Sequence, residues 1–476
     1  MTLNRESAGS AWSEDGRTFA AVDVRYAWYV VGALSLINMI SYVERQLPTL
    51  LFGQIKKDFV LTDTQVSLLA GFSFMLFYVA FGLFIGRLAD RSRRTRIIVV
   101  GILFWSAATM LCGFARNFLQ LFLSRVSVGV GEATLAPSAI SIISDLFPAT
   151  ALARALGVYT GAQYLGAGLA LVAGGAALQI AEHLPRVLPV VGHIALWQMT
   201  FLLVGSTGLL VVIPMSFVRE PVRRGLAPSV AASGAAVPFG EVWKFARANR
   251  RTLVSHYAAF SISSAMGFGT VAWVPTYFVR VHHWALHDIG YAYGLMVALL
   301  GGAGVIVGAR FAEWLARLGF TDAYLRAPMI SLAVTALPLV AAMLTPDARL
   351  AMALLAVATF LSSFPVSPII AALQVIAPNQ MRGQIVSFYL FVANILGVGL
   401  GPVIVALLTD YVFRNELDVG RSIALLTVMV TPIVVLILAL GLGSYRKSVA
   451  AAAAWTFAPA KAAGAFTTTA FSDKAM

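Results

Sequence analysis

The sequence predicts an all-α membrane protein, with twelve transmembrane helices in two six-helix bundles and both termini on the inner side (N-in/C-in). Three observations predict it. Of the 476 residues, 59% are hydrophobic and only 12% are charged, with a mean hydropathy of +0.84; a soluble domain carries about 25% charge. Apolar runs of the ~20 residues needed to cross ~30 Å of hydrocarbon recur along the whole chain. Lys and Arg are unevenly shared between alternate connections, which sets orientation. A soluble enzyme is excluded. So is a barrel, because the runs are long, continuous and rich in Leu, Ala, Val and Gly, where barrel strands would be short and alternating.

Taken in order, the runs place helices at roughly 27 to 52, 65 to 86, 96 to 115, 118 to 146, 152 to 181 and 192 to 218. Six more follow at roughly 252 to 279, 289 to 309, 326 to 344, 350 to 376, 383 to 409 and 421 to 444. A polar connection, VREPVRRGLAPSVAASGAAVPFGEVWKFARANRR, separates six from six. The expected organisation is therefore an inner tail (1–25), a first bundle (26–218), an inner linker (219–251), a second bundle (252–446) and a disordered tail (447–476). The halves echo each other: GRLAD (86–90) is matched by GARFAE (308–313), and LGAGL (165–169) by LGVGL (396–400). Duplicated bundles of this kind are typical of transporters. The frequent helical glycines read as close-packing positions.

With the N-terminus inside, seventeen Lys and Arg fall in inner connections and eight in outer ones. The formal charge of +13 is thus an orientation signal and implies no nucleic-acid partner. Cys112 is the single cysteine, so no disulfide and no cysteine-based metal cluster is expected. The first 24 residues contain no apolar h-region, so no cleavable signal is expected.

The chemistry lies in the charges that interrupt the apolar runs. SYVERQLPTLLF (41–52) carries Glu44 and Arg45 inside helix one, and helix four carries Arg125 and Glu132. A charge at the bilayer centre costs about 2.5–3.5 kcal/mol on insertion scales, so such residues mark sites. Glu44 and Arg125 lie at near-equal depth, which allows them to pair, with Glu132 about two turns deeper. Arg45 is rotated about 100° from Glu44, so one of the two faces a neighbouring helix. Two readings stay open: a structural ion-pair network, or proton exchange at Glu44 or Glu132 with Arg45 or Arg125 holding an anionic group. The interiors of helices seven, eight, ten and eleven have no Asp, Glu, Lys or Arg and offer hydroxyls and aromatics, among them Ser264, Trp273, Tyr277 and Phe364. A cavity charged on one wall and aromatic on the other suits an amphipathic solute.

GRLADRSRR (Gly86 to Arg94) resembles the loop signature between helices two and three of the major facilitator superfamily. The resemblance implies that superfamily's fold and a conformational gate. In it Asp90 meets the start of helix eleven, and Arg87 and Arg91 join Asp145 and Arg154 in a network that steadies the outward-open state. YVERQ, together with RVSVGVGEATLAPSAISIISDLFP, is similar to the spinster-like branch, in which an acidic residue and Arg in helix one face an Arg and the Glu of a GxGEA motif in helix four. Here these are Glu44, Arg45, Arg125 and Glu132, with Glu44 where Asp is usual. The resemblance implies a proton-coupled secondary transporter of a lysophospholipid-like or sphingosine-phosphate-like solute, working by rocker-switch alternating access. It also implies no cofactor beyond a proton gradient, and a monomer in the cell membrane (the inner membrane of a Gram-negative source). The alternative is an organic-anion symporter or multidrug exporter of the same superfamily, although helix five, GVYTGAQYLGAGLA, lacks the Gly-Pro of many drug antiporters. A membrane enzyme finds little support: HHWALHD (282–288) reads as a polar loop, and no P-loop lysine motif is present.

Overall fold

Eleven of the described helices are long and apolar enough to cross a bilayer. The computed structural model describes residues 23–147, 149–185, 187–188, 192–222, 239–378 and 381–456. The spans are α1 (Val24–Leu50), α2 (Asp63–Gly82, helical onward to Arg91), α3 (Arg94–Cys112), α4 (Phe118–Leu146), α5 (Arg154–Glu182) and α6 (Leu196–Ser216). The later spans are α8 (Leu286–Arg317), α9 (Ala323–Leu344), α10 (Ala348–Ile376), α11 (Arg382–Phe413) and α12 (Glu416–Ala452). The seventh expected position is α7 (Arg250–Val281), a 32-residue helix whose terminal arginines and internal Ser, Thr and His keep it below the hydropathy of the others.

Three boundaries differ from expectation. Of the expected N-terminal tail, residues 1–22 lie outside the described residues; α1 begins at Val24, where the Arg25 N–H donates to Asp23 Oδ1 at 2.9 Å. In the linker, Phe239–Ala248 is a helix, while 223–238 lie outside the described residues. The helix of α12 continues to Thr456, ten residues into the expected disordered tail, because the run of alanines there has the highest helix propensity of any residue. A pair of two-residue strands, Val187–Leu188 and Gly192–His193, joins α5 to α6; it is the one departure from all-α structure among the described residues.

Two spans are broken near their middles. α4 opens into a turn at Ala133 and Thr134, and α10 does so over Ser363, Phe364 and Pro365. Pro137 and Pro368 each remove the donor that would have bonded a carbonyl in the turn. The buried core includes a cluster that joins Phe52, Val66, Ala70 and Leu171 to the packed faces of α7, α8, α9 and α12, so the two sets of helices are sealed together at this end. Near it α5 crosses α8 closely enough that a Cβ on Gly168 would clash with the Gly294 carbonyl and with Ala298.

α1 is held in rotation by a proline and an arginine. Pro48 has no N–H, so the Glu44 carbonyl, one turn earlier, loses its helical donor. Arg125, fully buried on α4, supplies one instead: Nη1 donates to Glu44 O at 3.3 Å, Nη2 to Arg45 O at 3.1 Å and Nε to Leu69 O at 3.4 Å. Leu69 belongs to a π turn (Leu68–Phe72) within α2, which turns its carbonyl toward α4. One guanidinium thus ties three helices together through backbone. Arg125→Met should lower stability by about 1–3 kcal/mol, the cost of a buried acceptor left unmade. Thermal unfolding of the purified protein in detergent checks this; an unshifted midpoint would mean that the carbonyls find another donor.

Candidate functional site

Arg45 sits one residue after Glu44 and therefore about 100° around α1, and the two side chains part company. A helical side chain leans toward the N-terminus of its helix, which carries Arg45 back toward the turn of Ser41 and the Glu132 carboxylate on α4. Arg45 Nη2 donates to Glu132 Oε2 at 2.7 Å and Nε at 3.2 Å, and Ser41 Oγ donates to the same oxygen at 2.8 Å. Three aromatic faces surround the guanidinium, with the centroids of Tyr42, Phe74 and Tyr78 at 4.6, 4.5 and 5.0 Å. The Arg45 side chain is 11% exposed and that of Glu132 1%. Glu132 Oε1 has no hydrogen-bond partner in the structure.

Glu44 faces the other way. It is fully buried, and its Oε2 accepts from Thr109 Oγ1 of α3 at 2.6 Å. The pairing of the Glu44 carboxylate with Arg125 that their depth allows does not form, because the guanidinium donates instead to the Glu44 carbonyl freed by Pro48 and to the Arg45 and Leu69 carbonyls. Arg125 is correspondingly closed to a solute in this conformation. The pair at the centre is Arg45–Glu132.

The other expected contacts do not converge on this pair. Trp273 and Tyr277 are 0% and 1% exposed. The Trp273 indole N–H donates to Pro402 O at 2.9 Å and the Tyr277 hydroxyl to Ala342 O at 3.0 Å, so both rings seal one end of the molecule instead of lining an opening. Ser264, half-buried on α7, packs against Gly397 of α11, and Phe364 sits at the α10 break against Phe311 and Phe360.

At the sealed end, Asp63 heads α2. Its carboxylate is fully buried and accepts from Lys56 Nζ at 2.6 Å and from Arg280 Nη1 and Nη2 at 2.6 and 2.8 Å. Lys56 also meets Glu416 at 2.8 Å. The Thr64 N–H and hydroxyl donate to Asp410 Oδ2 at 2.8 and 2.7 Å. The start of α2 is thereby clasped to α7, α11 and α12. Arg280 also lies over Trp273, 5.6 Å from the ring centroid. The residue types alone did not single out this clasp; the local signal was the Thr62–Gln65 capping box, which marks Asp63 as a first-turn acid.

At the opposite end, Asp145, expected in a network with Arg87, Arg91 and Arg154, pairs with Arg94. Arg94 is 1% exposed and also donates to Ser141 Oγ at 2.7 Å and to Glu220 at 2.8 Å. Glu220 caps α3, accepting from the Thr95 N–H and hydroxyl at 2.9 Å each. Its burial would raise the carboxyl pKa, but the hydrogen bonds from Thr95 and Arg94 outweigh that and hold it below the ordinary carboxylate value. Arg94 reaches Asp145 because it begins α3 directly beside the end of α4; Arg154 is exposed and stacks over Trp28 at 5.4 Å. The side chains of Gly86, Arg87, Asp90 and Arg91 lie outside the described residues.

The family model of the Major Facilitator Superfamily matches residues 34–402. An MFS-type efflux pump of Mycolicibacterium smegmatis is 29% identical, over 84% of this chain and 89% of that protein. The sphingosine-1-phosphate transporter SPNS2 of Xenopus tropicalis is 30% identical, over 62% of this chain and 57% of that protein. The fold resembles the crystal structure of a bacterial homolog of the human lysosomal transporter Spinster, in an inward-facing and unoccupied conformation, with a TM-score of 0.74 at 24% identity, covering 92% of this chain and all of that one. The chain belongs to the major facilitator superfamily, as a multi-pass membrane transporter with spinster proteins among its relatives, and it is not an enzyme.

Proposed function

We propose that the protein is a proton-coupled secondary transporter of an amphipathic solute with an anionic or zwitterionic head, working by alternating access between residues 26–218 and 252–446. The observation that carries this reading is the Arg45–Glu132 pair: a guanidinium caged by Tyr42, Phe74 and Tyr78, and a carboxylate with one oxygen unpartnered. An anionic head that takes Arg45 frees Glu132, and a buried carboxylate stripped of its cation favours the protonated form. Substrate and proton then compete for one contact, which is how they become coupled. The aromatic faces around Arg45 suit the apolar part of such a solute. Spinster relatives named for sphingosine-1-phosphate transport support this class of solute, while the efflux pump, similar over most of both chains, favours an exporter of the same superfamily as the second reading.

The Asp63 clasp supports a state closed at the end that the arginine bias assigns to the outside. Opening that end requires Asp63 to release Arg280 and Lys56.

Proteoliposomes loaded with a pH-sensitive dye test the function directly. A lysophospholipid should move protons and short organic anions should not; flux with only the anions would favour an organic-anion symporter. Glu132→Gln should abolish solute-linked proton movement while exchange of solute across the bilayer persists, and coupling that survives would remove Glu132 from the proton path. Arg45→Gln should weaken binding of the charged solute about tenfold or more, equivalent to at least ~1.4 kcal/mol, with a smaller effect on an uncharged analogue. Asp63→Asn should shift the balance toward the state open at the clasped end by about tenfold; cysteine accessibility at that end, unchanged by the substitution, would count against the clasp.

A further inference from the structure

The linker helix Phe239–Ala248, FGEVWKFARA, takes part in neither the charged centre nor the clasp. Val242 and Phe245 lie three residues apart and so on one face of it. Both are buried in a cluster with Leu253 and Phe260 of α7, Tyr389 of α11 and Tyr445 of α12. The helix is therefore fastened to the second half, at the end that the arginine bias assigns to the inside.

Its outward side combines two things that a merely solvated linker has no use for together. Trp243 is 61% exposed, and Arg247, four residues on, shares its stripe of the helix. Arg250 and Arg251, in the first turn of α7, are exposed as well. Glu241 is the one acid between residues 239 and 251, and Lys244 takes it at 2.8 Å. Arg247, Arg250 and Arg251 enter no ion pair among the described residues.

The charge by itself is the orientation signal already noted; the indole beside it is what singles out a bilayer. Tryptophan presents an apolar body and a polar tip and settles at the headgroup level of a membrane. Acidic head groups in that layer supply the negative charge that the protein leaves out, and each Lys or Arg near such a surface strengthens attachment about fivefold, equivalent to ~1 kcal/mol. A soluble acidic partner would suit the arginines but gives no reason for an exposed indole at the foot of a membrane span.

We propose that Trp243, Arg247, Arg250 and Arg251 form a docking surface for the anionic phospholipid head groups of the inner leaflet. The surface holds the second half to that face of the bilayer through a helix that is part of its own core. It depends on the inner placement of the linker and is independent of the solute and of proton coupling.

The full-length protein in bilayers of equal parts phosphatidylcholine and phosphatidylglycerol tests this, with one lipid or the other carrying brominated chains as a quencher. The emission of Trp243 is isolated by subtracting the Trp243→Phe protein. Brominated phosphatidylglycerol should quench it more strongly than brominated phosphatidylcholine, and added salt should reduce the difference. Arg247→Gln and Arg250→Gln, both at exposed positions, should each lower the preference for phosphatidylglycerol about fivefold and leave the thermal midpoint unchanged. Equal quenching by the two lipids, or a preference that both substitutions leave intact, would overturn the docking surface. So would a Trp243 that iodide in the water reaches and the brominated lipids do not, which would turn this face toward a soluble partner.

Discussion

The rotational setting of α1 depends on the missing N–H of Pro48. Without that donor the Glu44 carbonyl would be an unsatisfied acceptor in the middle of a membrane helix, and Arg125 resolves it from α4 while also holding the Arg45 and Leu69 carbonyls. Because the contact is with backbone, it fixes which way successive side chains of α1 point. Arg45 is delivered to Glu132 and the aromatic cage; Glu44 is delivered to α3. A side-chain pair between Glu44 and Arg125 would have left that rotation loose.

Charges recur at three depths, and each set does a different job. Asp63 with Lys56 and Arg280 joins segments far apart in sequence. Arg45 and Glu132 sit at the centre, and Arg94 with Asp145 and Glu220 binds α3 and α4 to the stretch after α6. Buried ion pairs contribute little net stability once desolvation is counted, whereas breaking one by removing a partner costs about 3–5 kcal/mol. Their effect is thus on geometry and on the barrier between arrangements more than on the depth of either. The Arg94 triad lies within one half and is suited to permanence, and the Asp63 clasp crosses between halves and is suited to release.

The sequence carried the fold class, the placement of the helices and the divergence of Glu44 from Arg45, because run length, composition and the 100° helical step are local quantities. It did not carry the choice of partners. Whether Arg125 binds a carboxylate or a carbonyl depends on Pro48 three positions beyond Arg45 and on a π turn in another helix, neither of which changes the apolar pattern. Asp63 and Arg280 are 217 residues apart, and nothing local to either pairs them. Arg94 was hidden among arginines that mark orientation. Trp273 and Tyr277 were legible as aromatics at the right depth, but their burial is set by contact with Phe52 and with backbone carbonyls.

The turn at Ala133 and Thr134 begins one residue past Glu132, and its counterpart in α10 falls at Ser363 to Pro365. A continuous α-helix transmits a tilt along its whole length; one interrupted by a turn behaves as two stiff segments with a compliant joint. In α4 the turn separates the segment that carries Arg125 and Glu132, tied to the backbone of α1, from the segment that carries Asp145, tied to α3 through Arg94. The two attachments of α4 are thus set independently of each other, with the charged centre on one side of the joint and the Arg94 contact on the other.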